Sequence, residues 1–532
     1  MTLDVRPEWT AHRPGEDVAI LVDSVVAQRV SAVVTHLGEE VRRSDEEVTV
    51  GRTRVSLGVV GEGSYAVRLT SADDSTATTA FDVSADPLAR PRYGFVTDFL
   101  PGRDDGDEVA DSLRAFHLNA IQFYDWMYRH AALLPPSDDF LDALHRPMSL
   151  TTVRRLVDAT HAAGAQAIAY AAVYGAGREY ADAHPDEVLY HRDGRPWQLG
   201  DFLWVMDVSP GSAWTGHVVA QMADAVRQVG FDGLHLDQYG DPKVAVTRAG
   251  DVVDLAEGFV ATIDAVRAEL PEATLIFNNV NDFPSATTSR APQDVTYIEV
   301  WSPHDDYADL VRLVDAARDR RPGRPVVLAA YLEPFAATDG DNEMAAAKLA
   351  LTTVWASGGQ YLLFGERDGA LTHPYYPRYA TLGDAAVGVL RAFADFAVAN
   401  GDLLFAPQIL RATRHLWQGV NDDVVVDGQP TSPDPVAGRV WVRIGSVGSR
   451  LVVSLVDLRS QQDSRWNVAK RPTGTTAGLR IRVRVASSEP SARFGHPAAG
   501  PELGLLDATV DGEYLEIDVP EFDTWALVIV DR

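Results

Sequence analysis

Two carboxylates stand out by what precedes them. Asp237 lies in GFDGLHLDQYG (Gly230 to Gly240) and Glu299, about sixty residues on, in VTYIEVWSP (Val295 to Pro303), each at the end of a short apolar run of β character. Side chains at the C-terminal ends of barrel strands line the barrel mouth, so if these runs are neighbouring strands the two acids project from one rim. A nucleophile and a general acid so placed can straddle a glycosidic bond. The two-residue period of a strand puts His235 and Asp237 on one face, away from Leu234 and Leu236. It likewise sets Tyr297, Glu299 and Trp301 opposite Ile298 and Val300. For one acid in an acidic chain, a helix cap or loop ion pair outweighs catalysis; two acids at two strand ends reverse that balance.

A retaining enzyme needs one carboxylate ionised for attack and one carboxyl protonated for the leaving oxygen, about 5 Å apart, whereas inversion needs roughly 6.5 to 9.5 Å and a water. Asp237 suits the first role because its short side chain is closely held beside His235 and Gln238. Glu299, flanked by Tyr297, Val300 and Trp301, suits the second, since desolvation raises a carboxyl pKa. The run QFYDWMYRH gathers Tyr124, Asp125, Trp126, Tyr128, Arg129 and His130 into one loop. Aromatic rings meet the apolar faces of sugars and charged groups bridge their hydroxyls, although the same residues can simply plug a barrel top. The candidate set extends to Asp207 in FLWVMDVSP, to Asn278 and Asn279, to Glu366, and to His373, Tyr375 and Tyr376 in LTHPYYPRY. Paired asparagines at strand ends are also ordinary turn formers.

Such residues need elements to hold them. From Tyr93 onward compact apolar runs alternate with amphipathic helical stretches, the mark of a parallel sheet with crossovers. Eight runs are countable: RYGFVTDF, LNAIQFYD, AQAIAYAAV, DGLHLD, TLIFNN, VTYIEVW, PVVLAAYL and QYLLFGE. Eight units in about 310 residues predict a (β/α)8 TIM barrel with long loops. An open doubly wound sheet would bring a glycine-rich phosphate turn, and none follows any run. Residues 1–88 and 403–532 show period-2 alternation instead. They predict an N-terminal immunoglobulin-like β-sandwich and a C-terminal Greek-key β-sandwich around a catalytic barrel over 89–402.

With 47 basic against 76 acidic residues the 532-residue chain carries a formal charge of −29, which repels nucleic acid and anionic membranes. It has no cysteine, which excludes disulfides, thiolate metal sites and a cysteine nucleophile. No HExxH, EF-hand or GxSxG pattern occurs, and no cofactor or metal is expected. The acidic stretches Asp339 to Glu343 and Gly102 to Glu108 read as solvated loops or helix starts before they read as calcium sites. The first residues lack a basic start and an apolar core, so the expected location is cytoplasmic, or secreted if a leader has been trimmed.

RYGFVTDF, NAIQFYDWMYRH, GFDGLHLDQYG, YIEVWSP and GERDGALTHPYYP, in that order, resemble the catalytic-domain motifs of glycoside hydrolase family 66, the dextranases and cycloisomaltooligosaccharide glucanotransferases. The β, barrel, β layout matches across nearly the whole chain. The resemblance implies Asp237 as nucleophile, Glu299 as acid/base, and Asp125 in the loop that binds the reacting sugar. It also implies an α-1,6-linked glucan cleaved internally with retention. The glucanotransferases insert a carbohydrate-binding module in the catalytic region, and no spacing here would hold one, so hydrolysis is expected over cyclisation. A transglycosylase and a non-catalytic carbohydrate-binding protein are the alternatives. The sequence leaves the oligomeric state open.

Overall fold

The computed structural model describes residues 3–487 and 489–532. Its centre is a parallel sheet of eight strands in chain order: Tyr93–Val96, Ala120–Phe123, Gln166–Ala172, Gly233–Asp237, Thr274–Val280, Val295–Glu299, Val326–Ala329 and Gln360–Tyr361. A parallel bridge between Phe95 and Gly365 brings the eighth strand's extension back to the first and closes the barrel. Each of the eight predicted runs supplies one strand.

Strand alternation divides the apolar residues between two cores. Tyr93, Phe95, Ile168, Ile276, Val295, Tyr297, Val327 and Leu362 fill the barrel interior. Leu234, Leu236, Leu275, Ile298 and Leu328 face outward against the helices, meeting Leu156, Val218, Ile263, Leu313 and Leu351. Burying a side chain of this size stabilises by about 1.5–3 kcal/mol, which is what orders the layers. The helices begin where their sequences provide caps. The Ser149 hydroxyl accepts from Thr152 N–H at the start of Leu150–Ala162, Ser212 does the same for Ala213–Ala225, and Asp254 accepts from Ala256 N–H at Leu255–Glu269. Asp306 and Asp309 form a capping box at Tyr307–Arg320.

The fourth and sixth strands are not neighbours. The fifth, Thr274–Val280, pairs with both and lies between them. The condition that the two acid-bearing strands be neighbours is therefore not met; the interval of about sixty residues holds the hairpin Val244–Val246 and Val252–Asp254, the helix Leu255–Glu269, the fifth strand and a one-turn helix, Ser285–Thr288.

Two long excursions wall the barrel mouth. After the third strand the chain forms a small sheet of Gly175–Ala176, Leu203–Val205 and Gln198–Leu199, and after the fourth a hairpin of Val244–Val246 and Val252–Asp254. Tyr190 bridges to Val246, so the two excursions brace each other.

Antiparallel sheets flank the barrel on both sides in sequence. A three-stranded and a four-stranded sheet over Leu3–Val83 enclose a core of Val5, Ile20, Val22, Val34, Leu57, Val67 and Phe81. A larger and a smaller sheet over 410–531 enclose Val442, Ile444, Val453, Ile481, Leu515 and Val528. No helix among the described residues is long and apolar enough to cross a membrane.

Candidate active site

Five successive strands end in five side chains joined by hydrogen bonds across the mouth. Tyr170 at the end of the third strand donates its hydroxyl to Asp237 Oδ2 at 2.7 Å. Asn278 on the fifth strand donates through one nitrogen to Asp237 Oδ1 at 2.7 Å and to Glu299 Oε2 at 2.8 Å. Tyr331, just past the seventh strand, donates to Glu299 Oε1 at 2.6 Å. A nitrogen bonded to both carboxyls holds the two bonded oxygens within about 5.5 Å of each other, the limit of the two bonds laid end to end. The inward positions one step down, Tyr93, His235 and Tyr297, support this row. Tyr93 hydroxyl meets His235 Nδ1 at 3.0 Å, and the His235 and Tyr297 rings stand edge to face at 4.7 Å.

Among the described residues no cation pairs with these carboxyls. Burial pushes Asp237 up to about 7, and the nearby charge of Glu299 adds to the rise; donation from Asn278, Tyr170 and the Gln238 backbone opposes it. Burial also raises Glu299, against donation from Tyr331, Asn278 and Trp301. Because each charge disfavours the other, the two carboxyls titrate as a pair rather than singly. They lie in a cavity of about 370 Å³ lined by tyrosines, His373 and Trp301. Tyr124 stacks on Tyr376 at 4.2 Å and forms one wall.

A smaller cavity of about 120 Å³ adjoins it, sharing Tyr124, Tyr170, Tyr239 and Tyr375 and adding Asp125, Arg129, His130, Asp142 and Phe202. Asp125, in the left-handed region at φ 50°, lies 3.6 Å from the Arg146 guanidinium. Burial lifts it to about 6 despite that arginine, and burial lowers His130 to about 4.

A buried carboxyl pair in an aromatic-lined barrel mouth is glycosidase-like, and the family comparison agrees. The family model described as glycosyl hydrolase family 66 matches residues 10–529. This chain belongs to glycosyl hydrolase family 66. A cycloisomaltooligosaccharide glucanotransferase of Niallia circulans is 29% identical over 295 residues, 50% of this chain and 30% of that protein. A dextranase of Streptococcus salivarius is 23% identical over 404 residues, 64% of this chain and 49% of that protein. The chain thus spans half or less of the length of these curated relatives. A cycloisomaltooligosaccharide glucanotransferase of a Paenibacillus species, solved with cycloisomaltoheptaose, superposes with a TM-score of 0.90 at 19% identity, covering 99% of each chain, which speaks to the fold.

Within this family 66 chain the cavities bring together Tyr124, His235, Asp237, Asn278, Glu299, Trp301, His373, Tyr375 and Tyr376 in the first, and Asp125, Arg129 and His130 in the second. Other candidates lie elsewhere. Trp126 is wholly buried, its indole N–H on Tyr170 C=O, and it packs on Phe231 in the outer core. Tyr128 sits between Phe140 and the Arg129 guanidinium. Asp207 accepts from Ser209 N–H and hydroxyl in a turn. Gln238 pins the loop after its strand, donating to Asn278 C=O and Phe283 C=O and accepting from Gly240 N–H. Asn279 points the opposite way from Asn278, donating to Phe277 C=O and Tyr297 C=O. Glu366 is fully buried, accepting from Thr97 and Asp98 N–H beside Arg103.

The structure adds Tyr170, Tyr239 and Tyr331 to the site. Tyr170 and Tyr331 were findable in AQAIAYAAV and PVVLAAYL, where the inward register that identifies Asp237 also selects them.

Proposed function

We propose that this chain is a retaining glycoside hydrolase acting on internal α-1,6-glucosidic linkages of dextran or isomaltooligosaccharides. Asp237 is the nucleophile and Glu299 the acid/base. The observation that carries this reading is the single Asn278 nitrogen bonded to both carboxyls, since the separation it permits suits direct attack at roughly 5–5.5 Å and leaves no room for the intervening water of inversion.

In the first step the proton of the coupled pair resides on Glu299, which leaves Asp237 ionised; Asp237, oriented by Tyr170 and Asn278, attacks the anomeric carbon while Glu299 delivers that proton to the departing oxygen. In the second, Glu299, now a carboxylate, takes a proton from water, whose oxygen displaces Asp237. Net retention follows from two inversions. Aromatic walls and Asp125 with Arg146 supply contacts for neighbouring glucose units. The substrate class follows the family, whose relatives here include a dextranase and a glucanotransferase. Transfer to a sugar hydroxyl is the second reading, favoured by Trp301, which is 39% exposed beside Glu299 and offers an acceptor sugar a platform.

The same reading takes residues 1–88 as an immunoglobulin-like sandwich, 89–402 as the catalytic barrel and 403–532 as a Greek-key sandwich. Separate apolar cores in the two flanks support it. The test of function is incubation with dextran, isomaltooligosaccharides, pullulan and starch, with products resolved by size and the first-formed anomer read by NMR. Size-distributed isomalto-products appearing first as the α-anomer are expected. First-formed β-anomer would overturn the mechanism, and activity confined to another linkage would overturn the substrate.

A further inference from the structure

Asn278 does more than lie between the acids. Its side chain is almost completely buried, at 3% exposure, and both oxygens that its nitrogen meets belong to carboxyl groups. Asp237, ionised in the proposed attack, can only accept, so the amide must turn its N–H groups toward it and its own oxygen away. That oxygen, Oδ1, is buried with no donor among the described residues. A buried acceptor left empty costs about 1–3 kcal/mol, so the site has a built-in demand for a donor. Asn278 lines the same cavity as Asp237 and Glu299, and the neutral groups that reach this cavity in a glycan are hydroxyls, each able to donate.

We infer that Asn278 is the positioning residue of the pair: its two N–H groups fix the spacing and proton affinity of Asp237 and Glu299, and its free oxygen accepts a hydroxyl of the glucose unit being cleaved. This rests on the proposed retaining mechanism and deepens it. Two consequences follow. Each N–H stabilises a carboxylate, so both acids have lower proton affinity with the amide than without it. Occupation of Oδ1 by a sugar hydroxyl also fixes the amide plane and hence both acids, so the productive spacing is tightest when substrate is bound.

The test compares Asn278→Ala and Asn278→Asp with the unmodified protein, using kcat/KM against pH on an isomaltooligosaccharide and calorimetric binding of isomaltose. Asn278→Ala should lower kcat about a hundredfold, the scale of a 1 Å misplacement. It should also move both limbs of the pH profile upward, because losing the donor raises both carboxyls, and it should weaken isomaltose binding. Asn278→Asp keeps an acceptor but replaces the donor with a third negative charge. Its kcat should fall at least as far, with the limbs again displaced upward, while isomaltose binding is largely kept.

A lower rate with both limbs in place would overturn the positioning role, since lost folded protein scales the profile without moving it. Equal loss of isomaltose binding in both variants would overturn the acceptor role. Circular dichroism and thermal melting verify that the compared variants are folded. Asp237→Ala and Glu299→Gln run beside them separate this inference from the function beneath it. If those two are inactive while Asn278→Ala behaves as the parent, only the positioning role falls; if Asp237→Ala keeps full rate, the mechanism itself falls.

Discussion

Two of the places where the molecule buries carboxylates treat them in opposite ways. At the seam between the N-terminal sheets and the barrel, burial pushes Asp82 up, but Arg92 meets it with two hydrogen bonds at 2.8 and 2.9 Å and brings it net below the usual carboxylate range. Asp402 nearby is burdened by burial too, yet with His36 and Arg90 on its oxygens it ends at about 2. In the barrel mouth the donors to Asp237 and Glu299 among the described residues are neutral, Tyr170, Asn278, Tyr331, Trp301 and the Gln238 backbone, and both acids rise. Burial is common to the two regions. The partner differs: at the seam, cations that bond the acid directly hold it charged, whereas in the mouth phenol and amide donors orient the acids and leave them raised.

The strongest way to break this contrast is to remove the acids of the mouth. Asp237→Ala should lower kcat by at least about a thousandfold, and Glu299→Gln by about a hundred- to ten-thousandfold, with oligosaccharide binding kept in both. Glu299→Gln should lose less on a substrate whose leaving group needs no proton, such as an isomaltosyl fluoride. Parent-like turnover by either variant on dextran would remove that residue from the chemistry.

The converse change is made at the seam. Arg92→Leu leaves Asp82 buried without its cation and also removes donors from His117 C=O and Thr10 C=O. The expected cost is about 3–5 kcal/mol in stability, with kcat per folded molecule unchanged. The pH dependence should differ as well. Asp402 is depressed in the folded protein, so its stabilising contribution is present above its unfolded value of 3.8 and is lost as pH falls through about 2. Denaturant melts between pH 5 and 2 should therefore show a steeper acid loss in the parent than in Asp402→Asn. Coincident slopes would mean that the seam is not held by charge.

Asp237 should show the reverse linkage. Its folded value, about 7, exceeds the usual 3.8, so its favourable contribution is present below 3.8 and is lost as pH rises through about 7. Asp237→Asn removes the buried charge, and at pH 8 it should be more stable than the parent by roughly 1–3 kcal/mol, with the gap closing by pH 4. A gap independent of pH would show that the parent's carboxyl is not strained by burial.

Much of this arrangement was legible in the sequence because strand register is a local property. The two-residue period alone puts His235 with Asp237 and Tyr297 with Glu299, and eight apolar runs became eight strands. What register cannot supply is the direction of a residue in a loop. Trp126 follows the second strand by three residues and turns into the outer core, while Tyr124, two residues before it, faces the cleft. Asn278 and Asn279 are adjacent and alike in type, yet alternation sends one between the two acids and the other to Thr288 in the wall. Glu366 marks a third limit: its acidity reads as a site, but Thr97, Asp98 and Arg103, which claim it, are more than 260 residues away in sequence.

The smallest effect sharpens the comparison within the mouth itself. Trp301 shares the end of the sixth strand with Glu299 and donates to it, but its ring is 39% exposed and lies 5.6 Å from that of Tyr331. A ring there can hold the face of a sugar on the leaving-group side without touching the bonds that change. Such a contact stabilises bound substrate and transition state alike, and uniform binding moves KM while leaving kcat in place. Trp301→Ala should therefore raise KM on isomaltooligosaccharides roughly three- to tenfold, the equivalent of about 1 kcal/mol, with a smaller fall in kcat from the donor lost to Glu299. If the ring also seats an acceptor sugar, the proportion of elongated products at high substrate should fall in the same variant, since water then meets the glycosyl-enzyme with less competition. A drop in kcat with KM unchanged would instead place Trp301 among the groups that orient Glu299, and the division between polar floor and aromatic rim would have to be redrawn.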